Sequence, residues 1–462
     1  MKQFHKIDVR ILKKYDTAGP RYTSYPPAPV FTSEFDDGRF EVELILNNQP
    51  KSSADLSLYF HFPFCDTLCY FCGCTMMVTR DRARVRKYVD VLKREIDLFH
   101  RYAAPDRRVA QLHWGGGTPT HLHPEEIREL AEHIGRRFRF TPDAEIAVEI
   151  DPRGLTLEHM KALKDSGFNR VSMGVQDFNP RVQHAVNRIQ PEEITNKAIE
   201  WCRALGFSSI NIDLIYGLPL QNVESFEQTI NQIIGIAPDR LAVFNYAHVP
   251  WLKPHQKLIH PEDLPSPQTR LEILKMSIEK LTDAGYWYIG MDHFAKPEDE
   301  LAVAQRNRTL YRNFQGYSTK AGCDLYGLGM SSISHFANVY AQNLKKLPEY
   351  YSAIEAGAFA THVGYKMTRD DEVRKHVIMR LMCDPEVSKS DVERRFGIVF
   401  DEYFRDALEQ LRIFVDDGLV SVSSGLLKIE RMGRLVLRNV AMCFDAHLPR
   451  MQKEKQIFSR TV

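Results

Sequence analysis

Between residues 56 and 247, short apolar runs alternate with segments whose apolar positions recur every three to four places. Ser57–Phe64 (SLYFHFPF) reads as a buried strand. Further strand-like runs follow at Val109–Trp114, Glu145–Ile150, Val171–Val175, Ile210–Ile215 and Leu241–Ala247. Between them, Val85, Val89, Leu92, Ile96 and Phe99 mark one face of an amphipathic helix. Ile127, Leu130, Ile134 and Phe138 mark a second, and Phe226, Ile230 and Ile233 a third. Repeated strand–helix units predict an α/β fold with a parallel sheet and right-handed crossovers. Their number suits a (β/α) barrel, complete or incomplete. A doubly wound sheet stays open, because periodicity carries no strand order. In either architecture a site belongs at the carboxyl ends of the strands.

The flanking segments have other textures. The first fifty residues show little period and many turn signals, and within them prolines fix the backbone of Gly19–Pro27 (GPRYTSYPP) around Arg21, Tyr22 and Tyr25. Two readings fit: an arm packing its tyrosines on the main domain, or a flap over a substrate mouth with Arg21 meeting a carboxylate. Residues 313–340, dense in glycine, serine and aromatics, read as a loop closing over a pocket. Beyond Thr361, Val373, Val377 and Leu381 keep helical spacing. Phe414–Val440 then suggests helices, a two-stranded hairpin turning at Ser424-Gly425, and a last helix. That order is winged-helix-like, an arrangement frequent in DNA-binding modules, and Arg431, Arg434 and Arg438 would line one face. The neighbouring acids Asp416, Asp417 and Glu430 argue instead for a lid or interaction domain. The expected divisions are an N-terminal arm (1–50), a barrel (51–300), a connecting segment closing over the site (301–360) and a C-terminal helical domain (361–462).

Composition narrows the function classes. A chain of 462 residues is long enough for more than one folding unit. Lys+Arg number 61 against 60 Asp+Glu, so no global charge advertises a nucleic acid or a membrane surface. The opening MKQFHKIDVRILKKYD lacks the apolar core of a signal peptide, and no apolar run reaches the roughly 18 residues of a membrane span. Of eight cysteines, half stand in one loop, unlike a secreted disulfide framework, and a reducing cytosol is expected. Cys202, Cys323, Cys383 and Cys443 read as small core residues.

The loop Cys65–Cys74, CDTLCYFCGC, carries the sharpest chemistry. Cys65, Cys69 and Cys72 stand at C-x3-C-x2-C spacing, with Cys74 two places on. Spacing alone admits an iron–sulfur cluster, a zinc site closed by Cys74, or idle thiols. Three thiolates on a four-iron cube leave one iron open to a further ligand. Polar residues then fall at strand ends, as expected for a site. The run Gly115–Pro119 (GGGTP) follows one strand, and its glycines allow a ligand close to the backbone. Glu149 and Asp151 share one face opposite Ile150, and either would accept hydrogen bonds from ribose hydroxyls or an ammonium. Gln176 and Asp213 also end strands, Arg188 offers a carboxylate partner, and Gly290–Ala295 (GMDHFA) adds an acid and a histidine.

The cluster loop, with Tyr70-Phe71 before its last ligand, resembles that of the radical S-adenosylmethionine superfamily. Within it, PRYTSYP, LCYFCGC, LHWGGGTPT, NRVSMGVQDFN, NIDLIYGLP, FNYAH, GMDHFA and the terminal IFSR resemble the oxygen-independent coproporphyrinogen III oxidases along essentially the whole chain. The resemblance implies an incomplete (β/α) barrel with a C-terminal helical domain, a 4Fe–4S cluster on Cys65, Cys69 and Cys72, and two S-adenosylmethionine molecules. It implies that Tyr59, Gly116, Glu149 and Ile333 surround the molecule on the cluster. Phe71, Gly117, Thr118, Gln176, Arg188, Asp213 and Ala247 surround the second, and Cys74 is a fourth cysteine that does not ligate. The implied reaction uses a 5′-deoxyadenosyl radical to convert the ring A and B propionates of coproporphyrinogen III to vinyl groups, yielding protoporphyrinogen IX. An unidentified electron donor and acceptor, no nucleic acid or membrane partner, and a monomer complete the expectation. Arg21, with basic residues of the C-terminal domain, is the candidate contact for the tetracarboxylate substrate. Two rivals remain: a haem-binding chaperone on the same fold, which typically carries Asp-Phe after the third cysteine and lacks the PRYTSYP arm, and a zinc-stabilised DNA-binding regulator.

Overall fold

In the computed structural model, which describes residues 4, 7–49, 54–454, 458, 460 and 461, six strands run parallel in chain order. They are β1 (Leu56–Phe62), β2 (Arg108–Gly116), β3 (Arg139–Ile150), β4 (Arg170–Gln176), β5 (Ser209–Tyr216) and β6 (Arg240–Asn245). Each pairs with the next. A doubly wound sheet reverses strand order at a switch point. This one does not, so the barrel reading holds. The barrel stays open because β1 and β6 pair elsewhere. After β7 (Trp287–Gly290), β8 (His293–Ala295) adds antiparallel to β6, while β9 (Asp324–Leu328) adds parallel to β1. With β10 (Ile333–Phe336), β11 (Val339–Asn343) and β12 (Thr361–Lys366), one sheet of twelve strands runs β12-β11-β10-β9-β1-β2-β3-β4-β5-β6-β8-β7.

Residues 313–340 are therefore not one loop. The segment supplies β9, β10 and the start of β11, and a hairpin (Tyr311–Asn313 with Gly316–Ser318) precedes them. Its first strand, β9, is stabilised by pairing with β1, more than 250 positions earlier in the chain, which local pattern does not register. The hairpin reaches the inner face of the barrel, where Gln111 of β2 donates to Ser318 Oγ at 3.2 Å.

Side-chain alternation separates core from site. Leu58, Phe60, Phe62, Trp114, Val148, Met173, Val175, Ile212 and Leu214 are buried against the helices outside the barrel. The alternate set Tyr59, His113, Glu149, Ser172, Gln176, Asn211 and Asp213 stays half-exposed on the concave face. Polar residues persist in these buried strands because that face is a cavity wall.

The N-terminal segment is more regular than its turn signals suggest. Helices at Val9–Tyr15 and Asp37–Asn47 are capped by Asp8 and Asp36, whose side chains accept from the Arg10 and Arg39 amides. Between them Tyr22 and Tyr25 are buried. Tyr22 donates to Asp445 at 2.9 Å, and the Ala446 amide donates to Tyr25 at 3.1 Å, so the arm packs its tyrosines on the C-terminal domain. That domain contains the helix Arg369–Cys383 and the hairpin Val420–Val422 with Leu426–Ile429, widened to three strands by Glu386–Ser388. Arg434 and Arg438 turn inward onto backbone carbonyls rather than lining an outer face. Cys202 and Cys383 are buried, and Cys323 and Cys443 half-buried. No helix of the described residues is long and apolar enough to cross a membrane. The expected boundary at 50/51 and, within IFSR, Ile457 and Ser459 lie outside the described residues.

Behind β1 and β9, Glu95 ties the outer layer together. It accepts from Tyr350 (2.6 Å), the Gly329 amide (2.6 Å) and Asn343 (2.7 Å). Burial pushes its carboxyl up to about 7, against those hydrogen bonds. The folded chain thus holds this proton more tightly than the unfolded one. The group's contribution to stability is full below about pH 4.5 and is lost as pH rises through 7, by about 3 kcal/mol in all. Denaturant titrations at pH 5 and pH 8 should show that loss in the native sequence and a flattened difference in Glu95→Gln.

Candidate active site

The cluster loop leaves the end of β1 and is held from several sides. The Tyr70 amide donates to the Val186 carbonyl at 3.0 Å, and Asn187 Nδ2 to the Leu68 carbonyl at 2.8 Å. His255 meets the Cys72 carbonyl at 2.7 Å, Gln256 donates to the Phe71 carbonyl at 3.0 Å, and Lys253 to that of Cys74 at 3.0 Å. These clamps from Lys253–Gln256 carry no sequence signal, since they sit on a short 3-10 helix without period. Gln256 also donates to the Ala247 carbonyl at 3.2 Å, joining Phe71 to the loop after β6.

The thiols face groups suited to thiolates. Arg153 Nη2 and Arg188 Nη1 approach Cys69 Sγ at 3.3 and 3.6 Å, and Thr118 Oγ1 lies 3.3 Å from Cys65 Sγ. Burial pushes the Cys65 thiol up to about 12, so it ionises only beside a metal's charge. Hydrogen bonding from Cys74 draws the Cys72 thiol down against its burial. Among the described residues no three His, Cys, Asp or Glu side chains gather as a single metal ion would require. Three cysteines in one loop, with two guanidiniums beside Cys69, fit the thiolate donors of an iron–sulfur cluster.

Next to the loop lies the inner face. Glu149 Oε1 meets His113 Nε2 at 3.1 Å, and Oε2 accepts the Gly116 amide at 2.9 Å. Burial opposes its ionisation, but the His113 hydrogen bond and charge and the Gly116 amide hold the carboxyl below its ordinary value. Its side chain nevertheless keeps 41% of its surface accessible, as expected for a carboxylate facing an internal cavity. Tyr59 hydroxyl lies 3.1 Å from His61 Nδ1, and His61 Nε2 is 2.8 Å from the Thr75 carbonyl. Ile333 stands one strand beyond Gly327, the residue paired with Tyr59. Asp151 pairs with Arg153 (2.7 Å) and Arg188 (3.2 Å), which hold its carboxyl well below the usual range despite burial. Burial pushes Asp213 up to about 6, against hydrogen bonds from Asn211 (2.8 Å) and Ser172 (3.3 Å). Gln176 adopts a left-handed backbone (φ 70°), and its Oε1, like Arg188 Nε, is buried without a partner. Orphaned polar atoms on a cavity wall are what a bound nucleotide would satisfy.

The glycine run serves close packing. Gly116 has φ 114°, and a Cβ there would stand 2.5 Å from the His61 ring. At Gly117 a Cβ would meet the Phe64 and Phe62 carbonyl oxygens at 2.8 and 2.9 Å. These are backbone atoms with no side chain to yield, so Gly117→Ala is expected to cost about 1–3 kcal/mol. A thermal melt showing no drop in Tm would contradict this.

Known proteins place this arrangement. A sequence profile of the radical SAM superfamily matches residues 59–233, and one of the HemN C-terminal domain matches 367–436. The chain is 47% identical over 458 residues to the oxygen-independent coproporphyrinogen III oxidase of Salmonella typhimurium, covering 98% of each. The chain belongs to that family. It is also 46% identical to the Escherichia coli oxygen-independent coproporphyrinogen III oxidase over 98% of each chain. The solved structure of coproporphyrinogen III oxidase (HemN) from Escherichia coli, described as a radical SAM enzyme, superposes with TM-score 0.91 at 45% identity over 96% of this chain and 100% of that one. Within the oxidase family the cluster and S-adenosylmethionine follow from membership of the radical SAM superfamily. Arg21 is engaged by β6 and by the turn between β7 and β8. Its Nη1 pairs with Asp292 at 2.6 Å, and its guanidinium lies 5.6 Å over the Phe244 ring.

Proposed function

We propose that this chain converts coproporphyrinogen III to protoporphyrinogen IX without oxygen, decarboxylating the ring A and ring B propionates to vinyl groups in haem biosynthesis. The observation that carries the reading is the cysteine triad at the end of β1, with Arg153 and Arg188 turned to Cys69, opening onto a concave face with orphaned polar atoms. When bound, the cluster and S-adenosylmethionine would supply one-electron radical chemistry able to take a hydrogen atom from the propionate β-carbon.

The protein's own part is binding, orientation and exclusion of water. Cys65, Cys69 and Cys72 would ligate the cluster. Tyr59, Gly116, Glu149 and Ile333 surround one S-adenosylmethionine, with the ionised Glu149 receiving its ammonium. Phe71, Gly117, Thr118, Gln176, Arg188, Asp213 and Ala247 surround a second. The division into arm, barrel, connecting segment and C-terminal domain, a monomeric state, a cytoplasmic location and a separate electron donor and acceptor belong to the same proposal.

The haem-chaperone reading is opposed by Gly73-Cys74 after the third cysteine and by the Gly19–Pro27 arm. A DNA-binding regulator is opposed by the inward turn of Arg434 and Arg438. Reconstituted protein should be incubated anaerobically with reductant and S-adenosylmethionine, with coproporphyrinogen III in one arm and haem in the other. Vinyl product in the first arm supports the oxidase; haem capture without vinyl product overturns it.

A further inference from the structure

Four guanidiniums, those of Arg21, Arg312, Arg434 and Arg438, gather with Asp292 where the arm, the Tyr311–Ser318 hairpin and the C-terminal domain meet the open edge of the barrel. Three of them are engaged. Arg21 pairs with Asp292. Arg434 donates to the Tyr288 carbonyl at 2.6 Å, the Ile289 carbonyl at 3.2 Å and Gln305 Oε1 at 3.0 Å. Arg438 donates to the Pro20 carbonyl at 3.1 Å, the Arg460 carbonyl at 2.8 Å and the Gly19 carbonyl.

Arg312 is not engaged in this way. It is 3% exposed, yet its Nε and Nη1 have no hydrogen-bond partner. Its Nη2 makes only a 3.5 Å approach to the Arg21 carbonyl, and its guanidinium lies 4.6 Å over the Tyr317 ring. A buried guanidinium without a counterion is strongly unfavourable, and both edges that match a carboxylate lack a partner apart from that long contact. On the same Tyr317 ring, His293 packs edge-on at 5.3 Å, and its buried Nδ1 also lacks a partner. His293 pairs with Ala242 of β6, and Ala242 in turn with Asp213 of β5, so this pair borders the inner face.

We propose that Arg312, flanked by His293, forms a subsite for a carboxylate of the substrate. The assignment rests on the reading above, in which a tetrapyrrole with four propionates is the substrate. It takes a propionate that is not reacting. A bidentate clamp on the carboxylate about to leave would stabilise the ground state and oppose its loss. A clamp on a spectator carboxylate fixes the macrocycle without that penalty.

The test uses the full chain, reconstituted anaerobically, with unreactive coproporphyrin III and its neutral tetra-amide as probes. Arg312→Met is expected to weaken the tetracarboxylate at least about 30-fold, as removal of one member of a buried charged pair does, and to leave the tetra-amide unchanged. Arg312→Lys should recover part of the loss, and affinity for S-adenosylmethionine should stay within about twofold. The ligand-free Tm of Arg312→Met should match or exceed that of the native chain, because an unpaired buried charge has gone. Tetracarboxylate affinity within about twofold of native, equal losses for acid and amide, or a lowered ligand-free Tm each overturn the assignment. A variant that does not fold overturns it as well, since a guanidinium reserved for a ligand does not hold the chain together. If the native enzyme itself forms no vinyl product from coproporphyrinogen III, the substrate reading fails instead, whatever the variants do.

Discussion

Cys69→Ser is expected to leave the chain folded but without its iron, and to lower product formation by well over the roughly 10–100-fold that loss of an outer-sphere partner costs at a metal site. Folding should survive because the loop is held by its backbone. The Tyr70 amide, and the Leu68, Phe71 and Cys72 carbonyls, are all bonded to residues outside it. Iron should be lost because a hydroxyl does not replace a thiolate for this metal. Arg153 and Arg188 would also face an oxygen in place of sulfur. Cys74→Ser is the control: Cys74 lies beyond the triad, and its replacement should keep the iron. Iron and sulfide analysis with far-ultraviolet circular dichroism checks both. A Cys69→Ser protein that retains full iron, or a Cys74→Ser protein that loses it, would show that the ligands are misassigned.

Glu149→Gln should weaken S-adenosylmethionine binding by about 30-fold or more, the cost of removing one charge from an enclosed charged pair. The carboxylate accepts on both oxygens, from His113 and from the Gly116 amide. An amide in that place would turn a donor toward one of them and would carry no charge for an ammonium. The pH dependence follows from the same contacts. The Glu149 carboxyl lies below its ordinary value, so its attraction is present at all pH above that value and is lost only as pH falls through the depressed one. Affinity measured on native enzyme should therefore show no break from Glu149 between pH 6 and 9. A break there that disappears in Glu149→Gln would contradict the ionised role.

The barrel was legible because apolar strand runs alternate with helical periods, and alternation within one strand set Glu149 and Asp151 on the face opposite Ile150; that Tyr59 and Asp213 share that wall emerges only from the strand pairing. The cysteine spacing located the site but left zinc and iron–sulfur open until the geometry and the relatives were considered. What escaped was long-range or sparse. Strands β9 to β11 are short, and their place in the sheet is set by the pairing of β9 with β1, far away in sequence, to which β10 and β11 add in turn. The helix Val9–Tyr15 spans only two turns, too few for a period to stand out. His255 and Gln256 act through single hydrogen bonds to backbone carbonyls, and no composition or spacing marks such residues. Arg21 drew attention by its rigid proline setting and is paired with Asp292, whereas Arg312, one place before the stretch read as a closing loop, is buried without such a partner.

The proposed reaction requires three thiolates that hold a four-iron cluster and leave one iron to S-adenosylmethionine. Anaerobic reconstitution followed by electron paramagnetic resonance of the reduced protein, recorded before and after adding S-adenosylmethionine, addresses this most directly. About four irons and four sulfides per chain are expected, with a cluster signal that changes on binding. Zinc in place of iron, or a cluster signal indifferent to S-adenosylmethionine, would contradict it.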